Sequence, residues 1–290
     1  MFQGMGDPAR LIVGQSGDKQ TLENIRKELN LDKPKWQQFL YYLKDVSPVS
    51  VHTKEEIVAK QLQGIFIGGK YKLALKIPYF YKSYQTKKDT MGMIGDAFTG
   101  TLVLAITAML FACFFGILLG VLAAVKKGTW VDSATLFGSI SGISAPSFFM
   151  AILMAYVFGI VLHQYTGLPF TGSLMETDEV TGEKYLSLKN LILPAVTLGL
   201  RPMSIIVQLT RSSMLDVLQQ DYIRTAYAKG LSKTTIIFKH ALRNALNPVI
   251  TAVTGWFAEL LAGSFFIEYI FGWKGLGKLT VNALEKLDYP

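Results

Sequence analysis

The chain has 290 residues, half of them hydrophobic and only 17% charged, with a mean hydropathy of +0.32 and a formal net charge of +8. That balance excludes an ordinary soluble domain and predicts an all-α membrane protein, a polytopic helical bundle. A single cysteine, Cys113, leaves no disulfide framework, and His52, His163 and His240 lie too far apart for a His-Glu-x-x-His pattern, so neither a catalytic metal nor a cofactor is expected.

The chain opens on the polar, glycine-rich "MFQGMGDPARLIVG", without the charged leader or apolar core of a signal segment, and it stops at "EKLDYP". Both ends read as cuts through something longer; the alternative, an inverted topology, disagrees with the charges described below. In "TLENIRKELNL", Leu22, Ile25 and Leu29 recur at helical spacing. In "DKPKWQQFLYYLKD", Asp32 is a candidate cap, Pro34 sits in the first turn, and Trp36, Phe39, Leu40 and Leu43 share one face. From Val46 to Lys88 the sequence holds Tyr, Lys and Gly with little periodicity. Residues 1–95 are therefore expected to form a small extracytoplasmic segment, two amphipathic helices followed by loops or a subdomain, packing on the membrane face of the same protein or meeting a soluble partner.

Residues 96–290 read as the transmembrane domain. Apolar runs at about 97–125, 137–162, 191–210 and 248–267 each reach the roughly 20 residues that span a bilayer. A span must satisfy its backbone internally, and these runs lack barrel-strand alternation, so four helices are expected. The loop at 211–247 carries Lys or Arg at 211, 224, 229, 233, 239 and 243 against Asp216 and Asp221, a balance of +4, which makes it cytoplasmic by the positive-inside rule. Lys126 and Lys127 fall on the same side, and Lys184 and Lys189 on the other. The basic charge thus marks a membrane boundary, with lipid as the partner and no nucleic acid. Arg201 and Glu259 lie near the middle of their spans. Charges there rarely face lipid, so the two are candidates for an intramembrane pair, a contact with a partner subunit or a translocation path.

Within the basic loop, "DYIRTAYAKGLSKTTIIFKHALRNALNP" reads as a hairpin of two helices. Asp221 is the expected N-cap, Tyr222 to Lys229 make about two turns, and Gly230 ends them in a left-handed conformation. Ser232 caps a second helix carrying Ile236, Ile237 and Leu242, which returns to the membrane through Asn247-Pro248. Composition alone also allows a plain loop that only fixes topology. Further on, "GWKGLGKL" satisfies Gly-x-x-x-x-Gly-Lys but puts Leu279 where a phosphate loop needs Ser or Thr for magnesium, so no nucleotide site is expected. Nor do Ser, Lys and His form the dyad an intramembrane enzyme requires.

The order of residues is more specific. "SSMLDVLQQDYIRTAYAKGLSKTTIIFKHALRNALNPVIT" resembles the cytoplasmic loop of permease subunits of binding-protein-dependent ABC importers, of the dipeptide, oligopeptide and nickel branch. Against that family's Glu-Ala-Ala-x-x-x-Gly motif only Ala226 and Gly230 match, whereas "DYIRTA" with "AKGLS" is similar to the branch's own version. "GDPAR", "LNLDKPKW", "SYQT", "LILPAVTLGL", "LTRSSML" and "FGWKGLGKL" with "LDYP" extend the resemblance along the chain, Lys274 replacing the usual proline. Residues 46–80 look like an insertion, and the family's helices before "GDPAR" and after "DYP" are expected to be missing. The resemblance implies the type I importer permease fold in a bacterial inner membrane. It also implies a second homologous permease subunit, in a heterodimer or homodimer, two cytoplasmic ATP-binding subunits and an extracytoplasmic substrate-binding protein. Asp221, Tyr222, Arg224, Thr225, Ala226, Lys229 and Gly230 would form the coupling helix that docks on the ATPase, Ala226 permitting close approach.

Overall fold

The computed structural model describes residues 9, 18–28, 31–178, 181–286 and 288, and the chain divides into two units, Met1–Asp96 with Asn282–Pro290, and Ala97–Val281. "GDPAR" apart from Ala9, Leu29, the side chain of Ile25, and "LDYP" apart from Asp288 lie outside the described residues.

In the smaller unit, α1 (Lys19–Glu28) and α2 (Lys35–Val46) are followed by β1 (Val49–Thr53), α3 (Lys54–Ala59), β2 (Gly64–Gly68) and β3 (Tyr71–Lys76). The stretch expected as loops or a small subdomain contains an antiparallel sheet in the order β1-β3-β2. Its strands are short but alternate, and the register Val49↔Leu75, Val51↔Leu73, Ile65↔Leu75, Ile67↔Leu73 gathers the apolar positions on one face. Val49, Val51, Ile65, Ile67, Tyr71, Leu73 and Leu75 are all exposed there, while His52, Ala74 and Lys76 are buried on the other face. Pro34, not Asp32, precedes the first turn of α2, because its extended ψ of 145° already sets the entry to the helix. Trp36, Phe39, Leu40 and Leu43 do share a face, and that face is exposed.

The interior of this unit is polar. Lys60 Nζ (2.6 Å) and the Tyr81 hydroxyl (2.5 Å) donate to the carboxylate of buried Asp45, and Lys76 Nζ donates to its carbonyl. His52 Nδ1 lies 3.0 Å from Glu56 Oε2, which also receives Lys44 Nζ at 2.8 Å. Thr53 and Glu56 form a capping box that starts α3. Burial lowers the pKa of His52 and of Lys76, and burial with the Asp45 hydrogen bond raises that of Tyr81. Ser83 Oγ (2.5 Å) and Tyr84 N (2.6 Å) donate to Asp288, so the "SYQT" segment meets that residue.

The chain continues through α4 (Thr90–Val125), which passes from the first unit into the second. There follow α5 (Trp130–Ser144), α6 (Ser147–Val161, its last turn a π-helix), α7 (His163–Thr166) and the hairpin β4 (Met175–Thr177) with β5 (Lys184–Leu186). Then come α8 (Lys189–Leu218), α9 (Asp221–Ala228), α10 (Lys233–Ala245), α11 (Asn247–Gly263), α12 (Phe265–Ile270) and α13 (Leu276–Glu285). Among the described residues two helices, α4 and α8, are long and apolar enough to cross a membrane, or up to four if the bent pairs α5–α6 and α10–α11 each make one span. The run at 137–162, expected as a single helix, is instead broken with a bend of 109°. Pro146 disfavours helical backbone at the preceding residue, and Ala145 is extended (φ −78°, ψ 133°).

The centre of the larger unit is α8, which packs against α5, α6, α11 and α12. α4 reaches it through "GILLG", a Gly-x-x-x-Gly pair. A Cβ on Gly116 would sit 2.8 Å from the Ile206 side chain, and one on Gly120 2.6 Å from Thr210 Cβ. Two glycines one turn apart therefore let the helices approach closely, the packing on which helix association in lipid depends.

Candidate functional site

Helix α9 begins one residue earlier than the sequence suggests. Gln220 is the N-cap, without a side-chain hydrogen bond, and Asp221 occupies the first helical position, where its charge favours the helix N-terminus and approaches Arg224 Nη1 at 3.3 Å. Both side chains are largely exposed, so that pair adds little stability. The C-terminus is a Schellman motif: Gly230 N donates to Tyr227 O (3.0 Å) and Leu231 N to Ala226 O (3.3 Å), with Gly230 left-handed at φ +74°. Ser232 accepts from Thr235 N and starts α10, as expected from the sequence.

Ile223 and Ala226 are the buried residues of α9. They pack with Val121 of α4, Met214 of α8 and Ile236, Ala241 and Ala245 of α10. The small side chain of Ala226 thus brings α9 close to its own hairpin, not to the outside. Asn244 Nδ2 donates to the Tyr222 hydroxyl at 2.8 Å and ties the two arms. Asp221, Tyr222, Arg224, Thr225, Tyr227 and Lys229 remain exposed. Tyr227 was not singled out in the sequence, although its place five residues after Tyr222 puts both on accessible faces. Nor is α10 regular, since Ile236–Ala241 is a π-helix. That wide turn is a frequent companion of functional sites.

The foot of this hairpin is fixed by an ion pair that charge counting missed. Arg211 donates to Asp132 through Nε (2.5 Å) and Nη2 (2.7 Å), and Gly128 N donates to the same carboxylate at 3.0 Å. Asp132 is buried, so Arg211, counted above as a topology-setting charge, is also the bidentate link between α5 and α8.

Arg201 and Glu259 are not ion-paired; the guanidinium instead lies over the Trp256 ring at 5.6 Å. They line the same cavity, with Ala145 and Ser147 at the break between α5 and α6, Thr197 of α8 and Trp256 of α11. Its volume is about 80 Å³, well below the roughly 300 Å³ at which small-molecule pockets begin. It admits a few waters. The broken backbone and both charges open onto this one mostly apolar recess, consistent with the rule that irregular backbone at membrane depth lines a cavity.

The most buried charge is one the sequence did not reveal. Glu268 of α12 is fully buried and accepts from Thr101 Oγ1 (2.7 Å), Ser264 Oγ (2.6 Å), Gly277 N (2.7 Å) and Lys278 N (3.2 Å). A Cβ at Gly275 would collide with its carboxylate, and one at Gly277 with the Phe265 backbone. The "GLG" of "GWKGLGKL" is therefore a cradle for an internal anion at the start of α13. The amides a phosphate loop would offer are already taken, and Lys278 Nζ donates to Gly272 O at 2.8 Å. Fully buried Trp273 closes the loop, donating through Nε1 to Gly100 O at 2.9 Å.

Comparison with known proteins places this architecture. Residues 116–290 match the family described as binding-protein-dependent transport system inner membrane component. Over 285 residues the chain is 36% identical to the glutathione transport system permease proteins of Escherichia coli (strain K12) and Shigella dysenteriae serotype 1 (strain Sd197), covering 98% of this chain and 79% of each relative. A solved structure of the MetNI methionine ABC transporter, in inward-facing conformations, shares its fold with a TM-score of 0.51 at 19% identity, over 69% of this chain and 84% of that one.

The chain therefore belongs to the binding-protein-dependent transport system inner membrane component family. It is the membrane permease subunit of an ABC importer of the peptide and oligopeptide branch, resident in the inner membrane. It is not an enzyme; ATP hydrolysis occurs in separate subunits.

Proposed function

We propose that this permease imports peptides or closely related small solutes, with α9 as the element that receives ATP-driven motion. The observation that carries the reading is the mounting of α9. Ile223 and Ala226 pin it to α4, α8 and α10, a Schellman turn closes it, and a row of polar and aromatic side chains faces outward. A short helix held this way moves as a rigid body with the helices behind it. Asp221, Tyr222, Arg224, Thr225 and Lys229 then meet a groove on a cytoplasmic ATP-binding subunit, while Ala226 and Gly230 shape the helix from within. Four membrane crossings, with 211–247 on the cytoplasmic side and 1–95 outside, accord with the basic balance of that loop.

In this reading the chain works beside a homologous permease subunit, two ATP-binding subunits and an extracytoplasmic substrate-binding protein. The recess holding Arg201 and Glu259 is one wall of the path, completed by the second permease subunit, since its volume is too small for a peptide. The glutathione permeases that the chain resembles make short peptides the first substrates to try. The test is uptake by the assembled transporter in vesicles with ATP inside and binding protein outside. ATP-dependent accumulation of glutathione or dipeptides is expected; accumulation of nickel alone, or none of these, would overturn the peptide assignment.

A further inference from the structure

The smaller unit is built with its charges inside and its apolar side chains outside. Asp45, His52 and Lys76 are buried, with half-buried Glu56 and Lys60 bonded to them, while one whole face of the sheet carries Val, Ile, Leu and Tyr into the open. Ile67 is 70% exposed, Ile65 63% and Leu73 55%. A contiguous apolar patch of this kind marks an interaction site. We propose that the β1-β3-β2 face seats on the anionic phospholipid headgroup boundary of the membrane, its aliphatic side chains entering the acyl border and nearby lysines meeting lipid phosphates.

Three observations favour lipid over a protein as the occupant. The first is composition: protein interfaces are enriched in aromatic residues, Met and Arg and depleted in Lys, whereas this face is aliphatic apart from Tyr71. The second is charge: residues 57–88 hold seven lysines and no acidic residue, and of these Lys70 in the β2–β3 turn and Lys82, Lys87 and Lys88 are exposed. Lysine stems lie along apolar surface with the ammonium at the headgroups, and each basic residue near an anionic leaflet adds to binding. The third is continuity, because the last residues of this unit before Ala97 are the first turns of α4, a helix apolar enough to cross the membrane. Along α4, Leu110, Phe114 and Leu122 are exposed to a similar degree as the sheet residues. The free edges of β1 and β2 need water for their backbone groups, which keeps the sheet at the boundary and out of the hydrocarbon core.

The test uses the full chain in vesicles of phosphatidylethanolamine and phosphatidylglycerol. In a Cys113→Ser background, nitroxide labels are placed at Leu73→Cys and Ile67→Cys, exposed positions whose change does not threaten folding, and at Lys70→Cys as a reference. Collisions with oxygen are expected to exceed those with a water-soluble nickel chelate several-fold at 67 and 73, the order reversing at 70. Replacing phosphatidylglycerol with phosphatidylcholine should lower the ratio at 73. Three results would overturn the proposal: nickel access at 73 equal to that at 70, exclusion of both reagents as under a protein partner, or a ratio indifferent to the anionic lipid.

Discussion

Glu268 shows what a single side chain does in this structure. Four donors converge on it, two of them amides at the start of α13, so its negative charge holds that helix to α4 and α12. Glu268→Gln would turn an NH2 toward groups that themselves donate, and a loss of roughly 3 kcal/mol is expected, read as a lower melting temperature of the purified permease. Unchanged melting would refute the role. Gly275→Ala should act in the same direction through its clash with the carboxylate, by about 1–3 kcal/mol. His52 gives a pH effect. Its folded pKa lies below 6.5 because of burial, so as pH falls through 6.5 the unfolded chain binds a proton that the folded unit refuses. The smaller unit should therefore lose stability on acidification through that window. Burial alone would raise the Glu56 pKa, but its bonds from Lys44 and Thr53 lower it, which adds a loss of the same sign further into acid. Limited proteolysis of the unit across that range measures this, and a His52→Gln variant should flatten the response near 6.5. Neither the Glu268 network nor the Asp132–Arg211 pair was legible in the sequence: Arg211 is 79 residues from Asp132 and Thr101 is 167 from Glu268, while two of the three nearer donors to Glu268 are backbone amides, which no side-chain pattern announces.

Among the elements, long apolar runs were the most readable, since α4 and α8 each hold an unbroken apolar stretch long enough to cross a bilayer. The bend after α5 was not, because hydropathy stays high through Ala145-Pro146 and only the proline marks the change of direction. The sheet escaped because its strands are five or six residues long, too short for alternation to stand out among glycines and lysines. Gly230 and Ser232 were legible because caps are local chemistry, while the inward aim of Ala226 depended on packing. The docking of α9 makes a prediction at this scale. Ile223→Ala leaves a cavity among Met214, Ile236 and Ala241, and about 2–5 kcal/mol of local stability should go with it. Amide exchange should quicken in residues 221–230 while α8 keeps its protection; uniform protection would show that α9 is not held by this contact.

At the scale of the whole molecule, the proposed function requires a chain of helices to turn an event at α9 into a change at the recess that Arg201 and Glu259 line. The physical link is α8, which carries Arg201, is tied by Arg211 to α5, and is separated from α9 by Gln219 and Gln220 alone. Gly230 offers the most direct test of that account. A Cβ there meets no atom within 4 Å beyond its chain neighbours, so the cost of Gly230→Val is the backbone strain of a β-branched residue at φ +74°, about 1–3 kcal/mol. Asparagine tolerates that conformation and should act as the rescue. The measurement is substrate uptake together with substrate-stimulated ATP hydrolysis by the complete transporter in vesicles, alongside its assembly. Gly230→Val should assemble normally while uptake and stimulated hydrolysis fall together, and Gly230→Asn should retain most of both; normal uptake by Gly230→Val would contradict the account.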